Sequence, residues 1–274
     1  MTEGAISAAP QEASLQTTPR LQLRGINKSF GGVRALKGVD FEVYAGEVVG
    51  LVGDNGAGKS TLIKTMSGAY VPDEGEILID GQPVTIASPQ DSTRLGIETV
   101  YQDLALCDNL DVVANLWLGR EAYREVIPGV LRVLDETEME RRTSEVLKTL
   151  DVRIPSMRSP VATLSGGQRQ CIAVAKTILR QPKVVLLDEP TAALGVVQTR
   201  QVLNLIQRLK QQGLAVVVIS HNLHDVFEVA DRVIVMRLGQ RAATFEIRNT
   251  TPEQIVAAIT GAESKDTPAT ETDI

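Results

Sequence analysis

Residues 48–61 read VVGLVGDNGAGKST, a short β-branched run leading into a glycine-rich turn that closes on Gly-Lys-Ser-Thr. This segment restricts the fold more tightly than any other. Val48 to Val52 lacks the polar alternation of a half-exposed strand, so it reads as a strand covered on both faces within a parallel sheet. Leu62, Ile63 and Met66 follow at helical spacing. The glycine turn therefore joins a strand to a helix, the setting that a G-x-x-x-x-G-K-[ST] loop requires. Gly53, Gly56 and Gly58 let successive backbone N–H groups converge on phosphate oxygens without Cβ clashes, and the helix N-terminus adds partial positive charge. Lys59 supplies a mobile cation for the outer phosphates and Ser60 a hydroxyl for Mg²⁺, with Asp54, Asn55, Ala57 and Thr61 completing the loop.

Two further runs, Val184 to Leu187 and Leu214 to Ile219, are as continuously apolar as the first. Helical stripes separate them: Cys171, Ile172, Ala175, Ile178 and Leu179 after Leu164, then Val202, Ile206 and Leu209 stopping at Gly213. Met139, Val146, Leu147 and Leu150 mark another amphipathic helix over 135–150. At the end, Thr251 caps, Pro252 opens the first turn, Gln254 completes a capping box and Gly261 terminates. Strands alternating with helices make this an α/β fold. Earlier, Val39, Phe41 and Val43 alternate, as do Ile77 and Ile79 before Asp80-Gly81, which predicts an antiparallel layer. The stretch of about 103–180 reads as mostly helical and is assigned as a helical subdomain. The main domain spans 20–262, between polar tails at 1–19 and 263–274 that have little to bury.

Composition narrows the function classes. A net charge of −6 with 23% charged residues argues against a nucleic-acid binder, which normally presents a basic face. The longest apolar run, Leu214 to Ile219, is far short of the ~20 residues a membrane span needs. Two isolated cysteines, Cys107 and Cys171, make no disulfide framework and fit a reduced compartment.

Val184-Val185-Leu186-Leu187-Asp188-Glu189-Pro190 puts two carboxylates at the C-terminal end of a buried strand, where ligands of open α/β sheets bind. Alone, such a pair fits a solvated strand end equally well. Beside the phosphate loop, Asp188 becomes a candidate Mg²⁺ ligand and Glu189 a candidate base for the water attacking a γ-phosphate. Leu164-Ser165-Gly166-Gly167-Gln168 combines a good N-cap with a bared first helical turn. By itself this is an ordinary helix start.

GDNGAGKST at 53–61, LSGGQ at 164–168, VVLLDEP at 184–190 and His221 after the strand at 214–219 stand in the order found in ATP-binding cassette proteins. Over about residues 20–262 the chain resembles the nucleotide-binding subunit of an ABC transporter. The resemblance implies a P-loop NTPase (RecA-like) core with an antiparallel β subdomain and a helical subdomain, and ATP with Mg²⁺ as cofactors. It implies that two copies pair head to tail, so that Ser165, Gly166, Gly167 and Gln168 act on the other copy's ATP. His221 matches the histidine that contacts the γ-phosphate, and Gln102 the glutamine that meets Mg²⁺ or water and senses the membrane domain. Phe30 matches the aromatic that stacks on adenine, against the alternative of ordinary packing.

One position departs from the pattern. Thr191-Ala192-Ala193-Leu194-Gly195 has Gly195 where the family commonly has Asp, which leaves communication between the two sites open. The wording PTAALGVVQT and VYQDLAL resembles monosaccharide importers of the fructose, ribose and xylose class with a single separate cassette. The partners implied are a second copy, polytopic permease subunits and, indirectly, an extracytoplasmic sugar-binding protein. The location implied is the cytoplasmic face of the bacterial inner membrane. An importer for another small solute and a non-transport ABC ATPase are the alternatives. Leu110 to Trp117, with Val112, Val113 and Leu116, is read either as a permease-docking segment or as subdomain core. A GTPase is disfavoured because Asn27-Lys28-Ser29-Phe30 fails the N-K-x-D guanine pattern, and P-loop kinases lack LSGGQ.

Overall fold

The structure, a computed structural model, describes residues 18–262. The expected tails lie outside the described residues except at positions 18 and 19. The chain opens with β1 (Leu21–Phe30), β2 (Val33–Val43), β3 (Val48–Gly53) and α1 (Lys59–Met66). Next come β4 (Glu74–Ile79), β5 (Gln82–Val84), α2 (Pro89–Arg94), β6 (Ile97–Val100) and α3 (Val112–Trp117). A hairpin of β7 (Tyr123–Ile127) and β8 (Leu131–Leu134) precedes α4 (Glu136–Thr149) and α5 (Gly166–Ile178). The remainder is β9 (Val184–Asp188), α6 (Val196–Gln211), β10 (Ala215–Ile219), α7 (Leu223–Val229), β11 (Arg232–Arg237), β12 (Gln240–Glu246) and α8 (Pro252–Thr260).

Among the described residues the principal sheet has the order β12-β11-β3-β10-β9-β6. Five of its strands run parallel and β12 closes one edge antiparallel. The continuous apolar runs follow from its position. Val48, Val52, Val185, Leu187, Val216 and Val218 face one core, built with α3, α5 and α6. Val49, Leu51, Leu186, Val217 and Ile219 face the other, shared with α1 and with β1 and β2. Both faces are covered, so a polar side chain at any of these apolar positions would lose about 25 cal/mol per Å² of apolar burial. Gly50 interrupts the apolar run for a packing reason: a Cβ there would lie 2.6 Å from Val226 Cγ1, so α7 could not approach β3.

A second sheet, β2-β1-β4-β5, is antiparallel throughout. Val39, Phe41 and Val43 face the core as their alternation predicts, and Leu78 is buried together with Ile77 and Ile79. The stretch expected to be mostly helical contains α3, α4 and α5 but also the β7–β8 hairpin, turning at Pro128-Gly129. Val112, Val113, Leu116 and Trp117 are buried, and the Trp117 indole donates to the Met139 carbonyl at 3.1 Å and to Thr143 Oγ1 at 3.0 Å. These side chains form subdomain core, so the permease-docking reading of Leu110 to Trp117 does not hold for them. No helix among the described residues is long and apolar enough to cross a membrane.

Candidate nucleotide site

Strand order decides where the polar groups gather. β3, β10 and β9 are neighbours, so Gly53, Ile219 and Asp188 end on one rim of the sheet. Ser220 and His221 continue from β10, and Glu189 from β9. This is the carboxyl-end crevice where α/β sheets bind ligands.

The phosphate loop leaves β3 at Gly53, where φ is 149° and an added Cβ would lie 2.2 Å from the Met236 carbonyl oxygen, so no side chain fits. At its far end Gly58, in the left-handed region at φ 104°, caps α1. Between them Lys59 folds back over the loop, its Nζ donating to the Gly53 carbonyl at 2.7 Å and the Asp54 carbonyl at 3.0 Å. Burial pulls the Lys59 pKa below its ordinary value, while the charges of Glu189, Asp54 and Asp188 push it back up. A phosphate offers this ammonium stronger, charge-assisted acceptors than two neutral carbonyls do.

On the acidic side, burial and then the Glu189 charge raise the Asp188 pKa, partly offset by Lys64 and Lys59. Glu189 occupies the left-handed region at φ 51°, and its backbone N–H donates to the Ile219 carbonyl at 3.0 Å. That turn carries the carboxylate across to β10, where Oε2 lies 2.7 Å from His221 Nδ1. His221 is 75% exposed and Glu189 18%, so the imidazole covers a carboxylate that is otherwise nearly enclosed.

Among the described residues no three His, Cys, Asp or Glu side chains form a metal cluster. The Ser60 hydroxyl, the Asp188 carboxylate and the Gln102 amide are hard oxygen donors, which suit Mg²⁺ when phosphate oxygens and water fill the rest of its shell.

Three clefts meet this region. One, of about 450 Å³, runs along Asn55 to Thr61 and is walled by Val33, Arg34, Ala35 and Lys37 of β2 and by Leu238 and Gly239. A second, of about 610 Å³, lies beside Gly53, Asp54, Asn55 and His221. The third, of about 460 Å³, joins Gln102 and Glu189 to Gly166, Arg169 and Leu194. Gln102 thus lines one cleft with Glu189, and no residue of the phosphate loop lines that cleft. Phe30 lines none of them; its ring meets Tyr70 edge-on at 5.0 Å between centroids, with Lys28 Nζ 5.7 Å from its own centroid. The β2 and 238–239 wall was not anticipated from sequence, and a Leu-Gly turn dipeptide was its only signal.

Ser165 caps α5 in a reciprocal box: its Oγ accepts from Gln168 N at 3.3 Å, and its own N–H donates to Gln168 Oε1 at 3.0 Å. Gln168 Nε2 also donates to the Arg153 carbonyl at 3.1 Å, which ties the turn to the loop after α4. Gly167 packs against α6, where a Cβ would lie 2.9 Å from Gln198 Cβ. Gly195 is the N-cap of α6, and its N–H donates to Gln198 Oε1 at 3.2 Å. None of residues 165–168 lines either cleft that borders the phosphate loop of the same chain.

Comparison with known proteins places this geometry. Residues 36–192 match the ABC transporter family. The chain is 47% identical over 247 residues to the fructose import ATP-binding protein FrcA of Rhizobium meliloti, covering 89% of this chain and 95% of that protein. It is 45% identical to the xylose/arabinose import ATP-binding protein XylG of Sulfolobus acidocaldarius, covering 88% and 93%. Against the ribose import ATP-binding protein RbsA 1 of Rubrobacter xylanophilus it is 48% identical, over 81% of this chain but 43% of that protein. Among solved structures it resembles the ADP conformation of the ABC transporter cassette MJ1267, with a TM-score of 0.75 at 27% identity over 90% and 96% of the two chains. It also resembles the dimeric post-hydrolysis cassette MJ0796 bound to ADP and Pi, with a TM-score of 0.67 at 26% identity over 84% and 100%. The phosphate loop, the acidic end of β9 and the capped glycine turn of α5 are therefore parts of an ATP-binding cassette with a P-loop NTPase fold, and the chain belongs to the ABC transporter family.

Proposed function

We propose that this chain is the ATP-hydrolysing subunit of an importer for a monosaccharide of the fructose, ribose or xylose class. In this reading it works as a head-to-tail pair on the cytoplasmic face of the cell membrane. The observation that carries it is the meeting of Lys59, Asp188, Glu189 and His221 at the ends of the adjacent strands β3, β9 and β10. The near full-length likeness to a fructose import subunit supports the substrate class.

The residues act as follows. The triphosphate lies along the backbone amides of 55–61, and Lys59 exchanges the Gly53 and Asp54 carbonyls for phosphate oxygens. Glu189 orients the attacking water and takes its proton as the water oxygen bonds to the γ-phosphorus and the bond to the β,γ-bridging oxygen breaks, giving ADP and phosphate. His221 holds the Glu189 carboxylate and faces the γ-phosphate. Ser60, Asp188 and Gln102 are the residues that would hold Mg²⁺, which would neutralise charge on the phosphate oxygens.

Ser165, Gly166, Gly167 and Gln168 serve the ATP of the second copy; none of them lines a cleft with the phosphate loop of its own chain, and Gly166 shares one with Glu189. Closing and reopening of the pair would drive polytopic permease subunits, and through them communicate with an extracytoplasmic sugar-binding protein. The test is purification of the native complex and assay of its phosphate release. The expected result is a copurifying polytopic permease and turnover stimulated by the binding protein loaded with a monosaccharide. Copurification with ribosomes or DNA, and no sugar response, would overturn the reading.

A further inference from the structure

The chain that leaves Glu189 and the glycine turn that opens α5 meet on one side chain, Gln198 of α6. Residues 189–195 form a compact loop in which Glu189 and Ala193 both occupy the left-handed region, at φ 51° and 58°, although neither is glycine. Such conformations are costly and persist only where the surroundings fix them. Here hydrogen bonds fix them. The Ala192 N–H donates to the Glu189 carbonyl at 3.1 Å, and the Leu194 N–H to the Thr191 carbonyl at 3.3 Å. The Thr191 hydroxyl donates to the buried Asp225 carboxylate at 2.7 Å, on the helix that begins two residues after His221. The loop is thus tied at its start to the strand end that carries Glu189 and to the helix that follows His221.

Its far end is tied to Gln198, whose Oε1 accepts the Gly195 N–H at 3.2 Å. The backbone does not demand glycine at 195: φ is −74°, and a Cβ there would meet only Gln198 Oε1, at 4.0 Å. With no carboxylate at 195 to cap α6, the tie between loop and helix falls to the Gln198 amide.

Gln198 also carries the glycine turn of α5. A Cβ on Gly167 would lie 2.9 Å from Gln198 Cβ and 3.2 Å from its Cα, so the first turn of α5 rests directly on this residue. Gly166 makes the companion contact, since a Cβ there would lie 3.0 Å from Leu194 Cδ2 and 3.8 Å from Gln198 Oε1. Only glycines allow so close an approach of backbone to side chain. Gln198 itself lines none of the three clefts.

We infer that Gln198 is a positioning residue that joins the 191–195 loop to Gly166 and Gly167, so that the strand end holding Glu189 and the glycine turn offered to the other copy's ATP move as one body. The inference rests on the paired reading of that turn. The parts it joins serve different sites of the pair. Losing the tie therefore slows turnover of the pair and leaves the nucleotide affinity of a single chain as it was.

The test uses the full chain, alone and in the native complex, with Gln198→Met, Gly195→Pro and the double variant. Methionine keeps the length and the packing beneath Gly167 but offers no comparable acceptor; proline suits a φ of −74° and removes the donor. Calorimetry gives the ATP Kd of the single chain, a thermal melt its midpoint, and phosphate release the kcat and KM of the complex. Each single variant should lower kcat about five- to tenfold, the range one lost hydrogen bond supplies, with KM within about twofold and the single-chain Kd unchanged. The double variant should lose no more than the larger single loss, because both changes remove the same bond. Losses that multiply, an unchanged kcat in Gln198→Met, or weakened ATP binding by the single chain would overturn the inference. A lower melting midpoint with normal kcat would also overturn it, since that marks a purely structural role. The Gln198→Met result decides by itself if the proline variant fails to fold. Ser165→Arg is the control: if it leaves hydrolysis intact, the paired reading fails, a result distinct from failure of Gln198 alone.

Discussion

Replacing Asp188 with Asn should make the nucleotide-free protein more stable while disabling it. Burial and the neighbouring Glu189 charge raise the Asp188 pKa above 3.8 in the folded chain. The unfolded chain is then the better host for the negative charge, so at neutral pH Asp188 costs folding free energy. The cost is fully present above the raised folded pKa and fades as pH falls through that value toward 3.8. Fully burying a carboxylate costs several kcal/mol. Asp188 is only partly buried and is compensated by Lys64 and Lys59, and its removal also withdraws favourable charge from Lys59. A net gain of about 1 kcal/mol remains, in the range of stability released when functional residues are neutralised. For a domain of this size that is about 2–4 °C in melting midpoint. Thermal melts of the parent chain and Asp188→Asn in parallel from pH 7.5 to 4.5 measure it. The gap should be largest at pH 7.5 and close on acidification. A lower midpoint at pH 7.5, or a gap independent of pH, would refute the reasoning.

Three further substitutions test the packing and the paired arrangement. Gly167→Ala places a Cβ 2.9 Å from Gln198 Cβ, an atom too close to its backbone to swing aside, and should cost about 1–3 kcal/mol in urea unfolding. Trp117→Phe leaves the Met139 carbonyl and the Thr143 hydroxyl without the indole donor; the expected loss is about 1–3 kcal/mol, with ATP affinity unchanged by calorimetry. Ser165→Arg should abolish hydrolysis while the isolated chain still binds ATP, and loss of binding to the single chain would contradict action across a pair.

Burial on both faces forces continuous apolar runs, so β3, β9 and β10 were legible in the sequence. Capping chemistry is equally local. Thr251, Gln254 and Gly261 announced both ends of α8, where the Thr251 N–H donates to Gln254 Oε1 at 3.1 Å and Gly261 has φ 75°. The three chemical motifs could be read, but their convergence depends on β3, β9 and β10 being neighbours, which strand order supplies and spacing does not. The β7–β8 hairpin escaped because its strands are short and partner no core: Tyr123, Ile127, Leu131 and Leu134 are all exposed. Val112 to Trp117 was ambiguous because an apolar helical face reads the same whether its cover is α4 of the same chain or another protein.

The reading rests most heavily on Glu189 as the group that activates water. Glu189→Gln keeps the shape and loses the base, and it should be assayed for ATP affinity, phosphate release and ATP-dependent pairing on one preparation. Near-parental ATP affinity, phosphate release reduced at least about a hundredfold and accumulation of an ATP-bound pair are the predicted results. Undiminished phosphate release would contradict the account.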